Sequence, residues 1–270
     1  MTESLWLGPL RRPLRLLTTA LGAATLALLL WMIAGHALSD APIGMYEMLR
    51  PEGRPLVRLM LWSVTALLLG CALLLSDRIG GIEVRPTGPM DLLSLVCSRL
   101  AMIGVITVVL VMFYEVVSRY VFEKPTLWAN ELSLWIAGFV FLLAGLYAMQ
   151  QRSHIRIYVV YDLLPRWAQK AGDILSVLMI WAFAAAVVWG GYTESAQKLA
   201  RMETFGTAWD PPIPATIKPA ILIIGVLVAI QALSNLIADW NKPPEHHSPA
   251  DEIDEEEIAS IRRAVERADG

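Results

Sequence analysis

The sequence predicts an all-α polytopic membrane protein of about six transmembrane helices: a four-helix core with interfacial helices, preceded by an N-terminal helix pair. Three observations carry that expectation. The 270-residue chain is 56% hydrophobic and only 17% charged, whereas soluble domains are about half apolar and about a quarter charged. The excess is gathered into uncharged apolar windows at 16–34, 59–75, 100–114, 132–149, 174–193 and 219–238. Each approaches or reaches the ~20 helical residues that cross about 30 Å of hydrocarbon, and a soluble core would need shorter helices with a polar face on most of them.

The first window is flanked by "RRPLR" and "GHALSDAP", which gives it the look of a secretory signal. Its length exceeds the usual apolar region of about 7–15 residues, so an uncleaved span is expected. The arginine pair lacks the flanking pattern of a twin-arginine signal. After the second window comes "SDRIGGIEVRPTGPMD" (76–91), rich in Gly, Pro and charge as a boundary should be. It divides the chain into an N-terminal extension with two spans (1–91), a four-helix core (92–240) and an acidic tail (241–270). No internal repeat of the kind that marks inverted-repeat transporters is visible.

In the core, apolar character runs from Leu92 to Phe122, about 46 Å of helix and too long for one untilted crossing. Its first part, with Asp91 and Arg99, is therefore expected to lie at the interface before the chain turns inward. Trp128, Trp167 and Trp240 fall near span ends, where amphipathic rings favour the headgroup level. In the tail, "NKPPEHHSPA" reads as a linker to a short helix over about 251–268, with acidic first turns and Arg262, Arg263 and Arg267 in the last. With a cytoplasmic N-terminus, ten Lys and Arg near span ends lie inside and eight outside, which places both termini in the cytoplasm.

Composition also excludes functions. There is no clustered basic face of a nucleic-acid footprint, so no nucleic-acid partner is expected. Cys71 and Cys97 lie in or beside apolar segments and read as small packing hydrophobes. The middles of the six windows contain no Asp, Glu, Lys, Arg or His, the residues that pumps and proton relays keep there at a cost. His36 sits at a span end, His154 in a loop, and His246 and His247 in the tail, so no pair faces across a bundle at matched depth to hold haem. No phosphate loop, zinc spacing or nucleophile–base pair is evident. No cofactor, metal site or catalysis is expected.

Polar groups gather instead at the span mouths. In "YEVVSRYVFEKPTLWANELSLW" (114–135), Glu115 and Arg119 are four apart on a helix, in the favourable order. Pro125 and Trp128 mark a tight interfacial turn, and Glu131 enters the next helix in its first turn. Arg119 and Glu131 should lie at similar depth, either as an ion pair pinning this hairpin or facing a partner subunit. At the other face, "QQRSHIRIYVVYDLLP" (150–165) puts Arg152, His154, Arg156 and Asp162 among apolar residues. Arg152 and Arg156 share one side of a helical wheel with Val159 and Leu163, so the amphipathicity is confined to the first turns. A short helix in the headgroup layer, in contact with membrane lipids, suits that mixture.

"SRYVFEKPTLWANEL", an apolar span and then "RSHIRIYVVYDLLP" resemble the small membrane subunit (DctQ-type) of tripartite ATP-independent periplasmic (TRAP) transporters. The family pattern maps onto Arg119 and Tyr120, Trp128 and Glu131, His154, Arg156 and Leu164-Pro165; "WDPPIPATIKPAILIIGVLVAIQAL" (209–233) resembles the last loop and span, including Gln231. The likeness covers 92–239. Tyr158 stands where the family often has Asp, and the first two spans lie outside the match. The resemblance implies a scaffold subunit in the bacterial inner membrane. A large membrane permease subunit would move an organic acid, usually with sodium, after a periplasmic solute-binding protein captures it. The alternative is the membrane anchor of a respiratory oxidoreductase.

Overall fold

A computed structural model describes residues 4–38, 43–81, 83–152, 161 and 164–242. Its helices are α1 (Arg11–Leu38), α2 (Met45–Leu49), α3 (Pro55–Ser76), α4 (Pro89–Tyr120), α5 (Ala129–Gln150), α6 (Arg166–Ala200) and α7 (Ile213–Asp239). All but α2 are long and apolar enough to cross a membrane, which makes the chain an all-α, multi-pass membrane protein with six candidate spans among the described residues. The helix expected in the tail lies outside the described residues.

Starts and stops follow local chemistry. Pro lies in the first turn of α3, α4 and α7, where its missing N–H costs nothing. At the end of α6 the Met202 N–H donates to the Leu199 carbonyl and the Glu203 N–H to the Lys198 carbonyl, each at 3.0 Å. Met202 holds φ 46°, so α6 closes in the left-handed cap that glycine usually occupies.

The long helices pack as a succession: α1 on α3, α3 on α4, α4 on α5, α5 on α7 and α7 on α6. Small residues set the close approaches. A Cβ at Gly70 would stand 2.7 Å from the Thr18 hydroxyl of α1, and one at Gly104 would stand 2.8 Å from Val140 of α5. Helices in lipid gain by such contact because burial against another helix removes no water. Outward faces stay apolar: Val105, Val109 and Phe113 on α4, and Leu178, Phe183 and Trp189 on α6, are exposed, as lipid-facing residues are.

One expectation changes. The third apolar run does not break: α4 is continuous over Pro89–Tyr120. Asp91 and Arg99 are buried, and each has partners within the chain. Thr87 donates its N–H and hydroxyl to Asp91 at 2.8 and 2.9 Å, and Arg99 is held by Glu83. With both charges paired within the protein, nothing draws this part of the helix out along the membrane surface.

Candidate functional site

The polar side chains collect at the two ends of the bundle. One end contains the α4–α5 turn, α2 and the α6–α7 loop. Here Glu115 is the hub of the α4–α5 turn. It accepts from Arg119 Nε at 2.9 Å and Nη2 at 2.5 Å, and from the Thr126 N–H at 3.0 Å as well as its hydroxyl. The Trp128 ring stacks on Tyr114 with centroids 5.7 Å apart. The i,i+4 pair expected from the sequence is therefore present.

Of the two arrangements left open for Arg119 and Glu131, the ion pair between them is absent. Glu131 turns toward the α6–α7 loop instead, accepting from the Thr207 hydroxyl at 2.7 Å and the Asp210 N–H at 3.1 Å. Equal depth was not enough, because α5 packs against α7 as well as α4 and Glu131 lies toward α7. Asp210, at φ 61°, accepts from the Gly206 N–H at 2.7 Å. That bond, with the Thr204 side chain, holds its carboxyl below the usual range. The buried Trp209 donates its indole N–H to the Met45 carbonyl at 2.9 Å. The short helix α2 is thus fastened to the α6–α7 loop at this end.

At the opposite end, Arg152 ends α5 at φ 56° and makes a two-pronged pair with Asp239 of α7, at 2.5 and 2.9 Å. His154, Arg156 and Asp162 lie outside the described residues. Three further groups at this end were not singled out as site residues. Glu83 accepts from Arg99 Nη1 at 2.8 Å and Nη2 at 2.6 Å, from the Tyr147 hydroxyl at 2.6 Å and from the Gly80 N–H at 2.6 Å. Burial alone would push the Glu83 carboxyl up; these donors outweigh it and hold it down at about 2. Asp77 accepts from the Ser4 hydroxyl and the Trp6 and Leu7 N–H groups at 2.8, 3.0 and 3.0 Å. Burial opposes ionisation there also, and the same donors keep the carboxyl below its usual range.

The third group is a polar ladder centred on the buried Gln231. Ser94 of α4 donates to Gln231 of α7 at 2.8 Å; Gln231 donates to Asp91 at 2.6 Å and to Asn235 at 2.9 Å; Asn235 donates to the Met149 carbonyl of α5 at 2.6 Å. The signal for Gln231 and Asn235 was present in the sequence: amides four apart near the end of an otherwise apolar helix. A buried amide demands partners.

These arrangements hold together the helices of a multi-pass membrane protein. Residues 108–242 match the family model for the DctQ component of tripartite ATP-independent periplasmic transporters, and the chain belongs to that family of small permease subunits. The match begins inside α4, later than the 92 expected, and leaves α1–α3 outside it. No curated protein matches the chain.

Proposed function

We propose that the chain is the scaffold subunit of a TRAP-type uptake system for organic acids, without catalysis of its own. In this reading it sits in the bacterial inner membrane with both termini cytoplasmic. It holds a large membrane permease subunit that moves the substrate, driven by sodium, after delivery by a periplasmic solute-binding protein. The family match over 108–242 carries the proposal. The use of charge supports it: the buried Asp91, Arg99 and Glu115 of α4 each bond within the chain, and so are committed to structure rather than to a substrate path.

Residues 92–240 would form the four-helix small-permease core, 1–91 an N-terminal extension with two transmembrane helices and 241–270 an acidic cytoplasmic tail. Glu115, Arg119, Trp128 and Glu131 would shape the outer surface offered to the large subunit; Arg152, His154, Arg156 and Asp162 would shape the inner one. The test is purification of the tagged full chain from its native membrane in mild detergent, with mass spectrometry of what accompanies it. A stoichiometric large multi-span protein is expected. Haem, flavin or iron–sulfur subunits in its place would overturn the reading.

A further inference from the structure

The inner ends of α6 and α7 differ in one respect from their outer ends. At the outer ends both lysines are matched, Lys198 by Glu194 and Glu203 and Lys218 by Glu194, and Arg201 stands there as a single cation with no carboxylate partner among the described residues. At the inner ends Arg166 and Lys170 stand one turn apart on α6, and among the described residues neither forms an ion pair with a carboxylate. Arg166 donates to Gln169 at 3.3 Å and to the Lys242 carbonyl at 2.8 Å. The Lys170 ammonium sits 4.5 Å from the centre of the Trp240 ring. Lys242 and Arg152 share the single carboxylate of Asp239, at 2.7 and 2.5 Å. Asp173, a turn further along α6, accepts from the Tyr161 hydroxyl at 2.8 Å.

The cluster therefore gathers Arg152, Arg166, Lys170 and Lys242, of which Arg152 and Lys242 pair with Asp239 and, among the described residues, Arg166 and Lys170 form no ion pair. Its setting indicates what balances the charge. Trp167 is 74% exposed beside Arg166, and Trp240 is 39% exposed; the apolar stretch of α6 starts at 174, two turns beyond Trp167, and that of α7 runs to 238, beside Trp240. Amphipathic indoles beside unpaired cations at the end of a hydrocarbon-length helix define the headgroup layer. The bond from Arg166 to the Lys242 carbonyl ties the start of α6 to the chain just after α7, and Asp239 holds the Lys242 ammonium.

We propose that this basic cluster at the inner ends of α6 and α7 binds the headgroup of one anionic phospholipid. Its phosphate lies among Arg166, Lys170 and Lys242, and its glycerol and upper acyl chains lie along Trp167 and Trp240. The proposal does not depend on which transporter the chain serves.

The test is native mass spectrometry of the full chain released from detergent micelles, with dioleoyl phosphatidylglycerol and dioleoyl phosphatidylcholine offered at equal concentration and inorganic phosphate in a separate sample. One phosphatidylglycerol should be retained in preference to phosphatidylcholine, and phosphate should not be retained. Neutralising two cations, as Arg166→Gln with Lys170→Gln, should weaken retention roughly thirty-fold, about five-fold for each basic group near the surface. The charge-preserving pair Arg166→Lys and Lys170→Arg should keep most of it, which separates lost charge from lost fold. Arg201→Gln, at the outer end of α6, should change nothing. Equal retention of the two lipids, or unchanged retention in the neutral pair, would overturn the proposal. So would retention of free phosphate, or lipid binding that emerges only when the carboxylates of 251–257 are neutralised, since that segment would then be the occupant.

Discussion

Replacing Glu83 by Gln preserves shape and removes one charge, so it isolates what the carboxylate does for the fold. The side chains of Glu83 and Arg99 are each 9% exposed, and Arg99 also donates to the Arg78 carbonyl at 2.9 Å. A glutamine offers one acceptor oxygen where the carboxylate uses two, and it turns an NH2 toward donors from Arg99 or Gly80. The guanidinium is then left buried with a fraction of its partners. Breaking a buried pair from one side costs about 3–5 kcal/mol; the retained amide oxygen and the Arg78 carbonyl place this case at the lower end, about 3 kcal/mol. For a chain of this size that is a fall of about 6–12 °C in Tm. Thermal unfolding in detergent can be followed with a thiol-reactive fluorophore, because Cys97 is buried and free.

Two further readings make the reasoning refutable. Changing both partners, Glu83→Gln with Arg99→Met, should recover part of the loss, because no charge is then stranded. Acid gives the second. The folded carboxyl titrates at about 2, below the ordinary 4.5, so its contribution is complete above about pH 4.5 and disappears as pH falls through about 2. The Tm gap between the native chain and Glu83→Gln should therefore be constant from pH 7 to about 5 and narrow below that. A shift of less than about 2 °C, additive losses in the double variant, or a gap that widens in acid would refute the assignment.

Met202→Gly should stabilise the chain by about 1 kcal/mol, read as a higher Tm: Met202 is exposed with φ 46°, where a side chain is penalised and glycine is not. Gly104→Leu should separate α4 from α5, since even a Cβ there stands 2.8 Å from Val140; a loss of about 1–3 kcal/mol in the same assay is expected. Glu131→Ala should release the 207–210 loop, seen as faster proteolysis near Trp209, and should lower the amount of assembled complex while leaving apparent substrate affinity unchanged. Normal assembly with altered substrate preference would contradict the scaffold role.

What the sequence made legible was whatever depends on one helix at a time. Crossing length is a property of a single apolar run, so the spans were readable, and the Glu115–Arg119 pair was readable because residues four apart meet on any helix. Depth was readable as well, and it placed Arg119 and Glu131 at the same end. Azimuth was not. Which side of α5 Glu131 occupies is decided by the order in which helices pack, and its partner Thr207 lies 76 residues away.

The 76–91 connector shows the same limit from the other side. Its Gly and Pro content marks a boundary in composition, yet Glu83 within it is fastened to Arg99 of α4 and Tyr147 of α5. A clue to that fastening was present in Arg99 itself. An arginine inside a long apolar run needs a carboxylate or carbonyl in reach, and Glu83 is the acid that the chain folding back from α3 delivers to it. The continuity of α4 follows from this pairing. Once Glu83 answers Arg99, the region that composition marks as a boundary becomes a clasp from the end of α3 to α4 and α5.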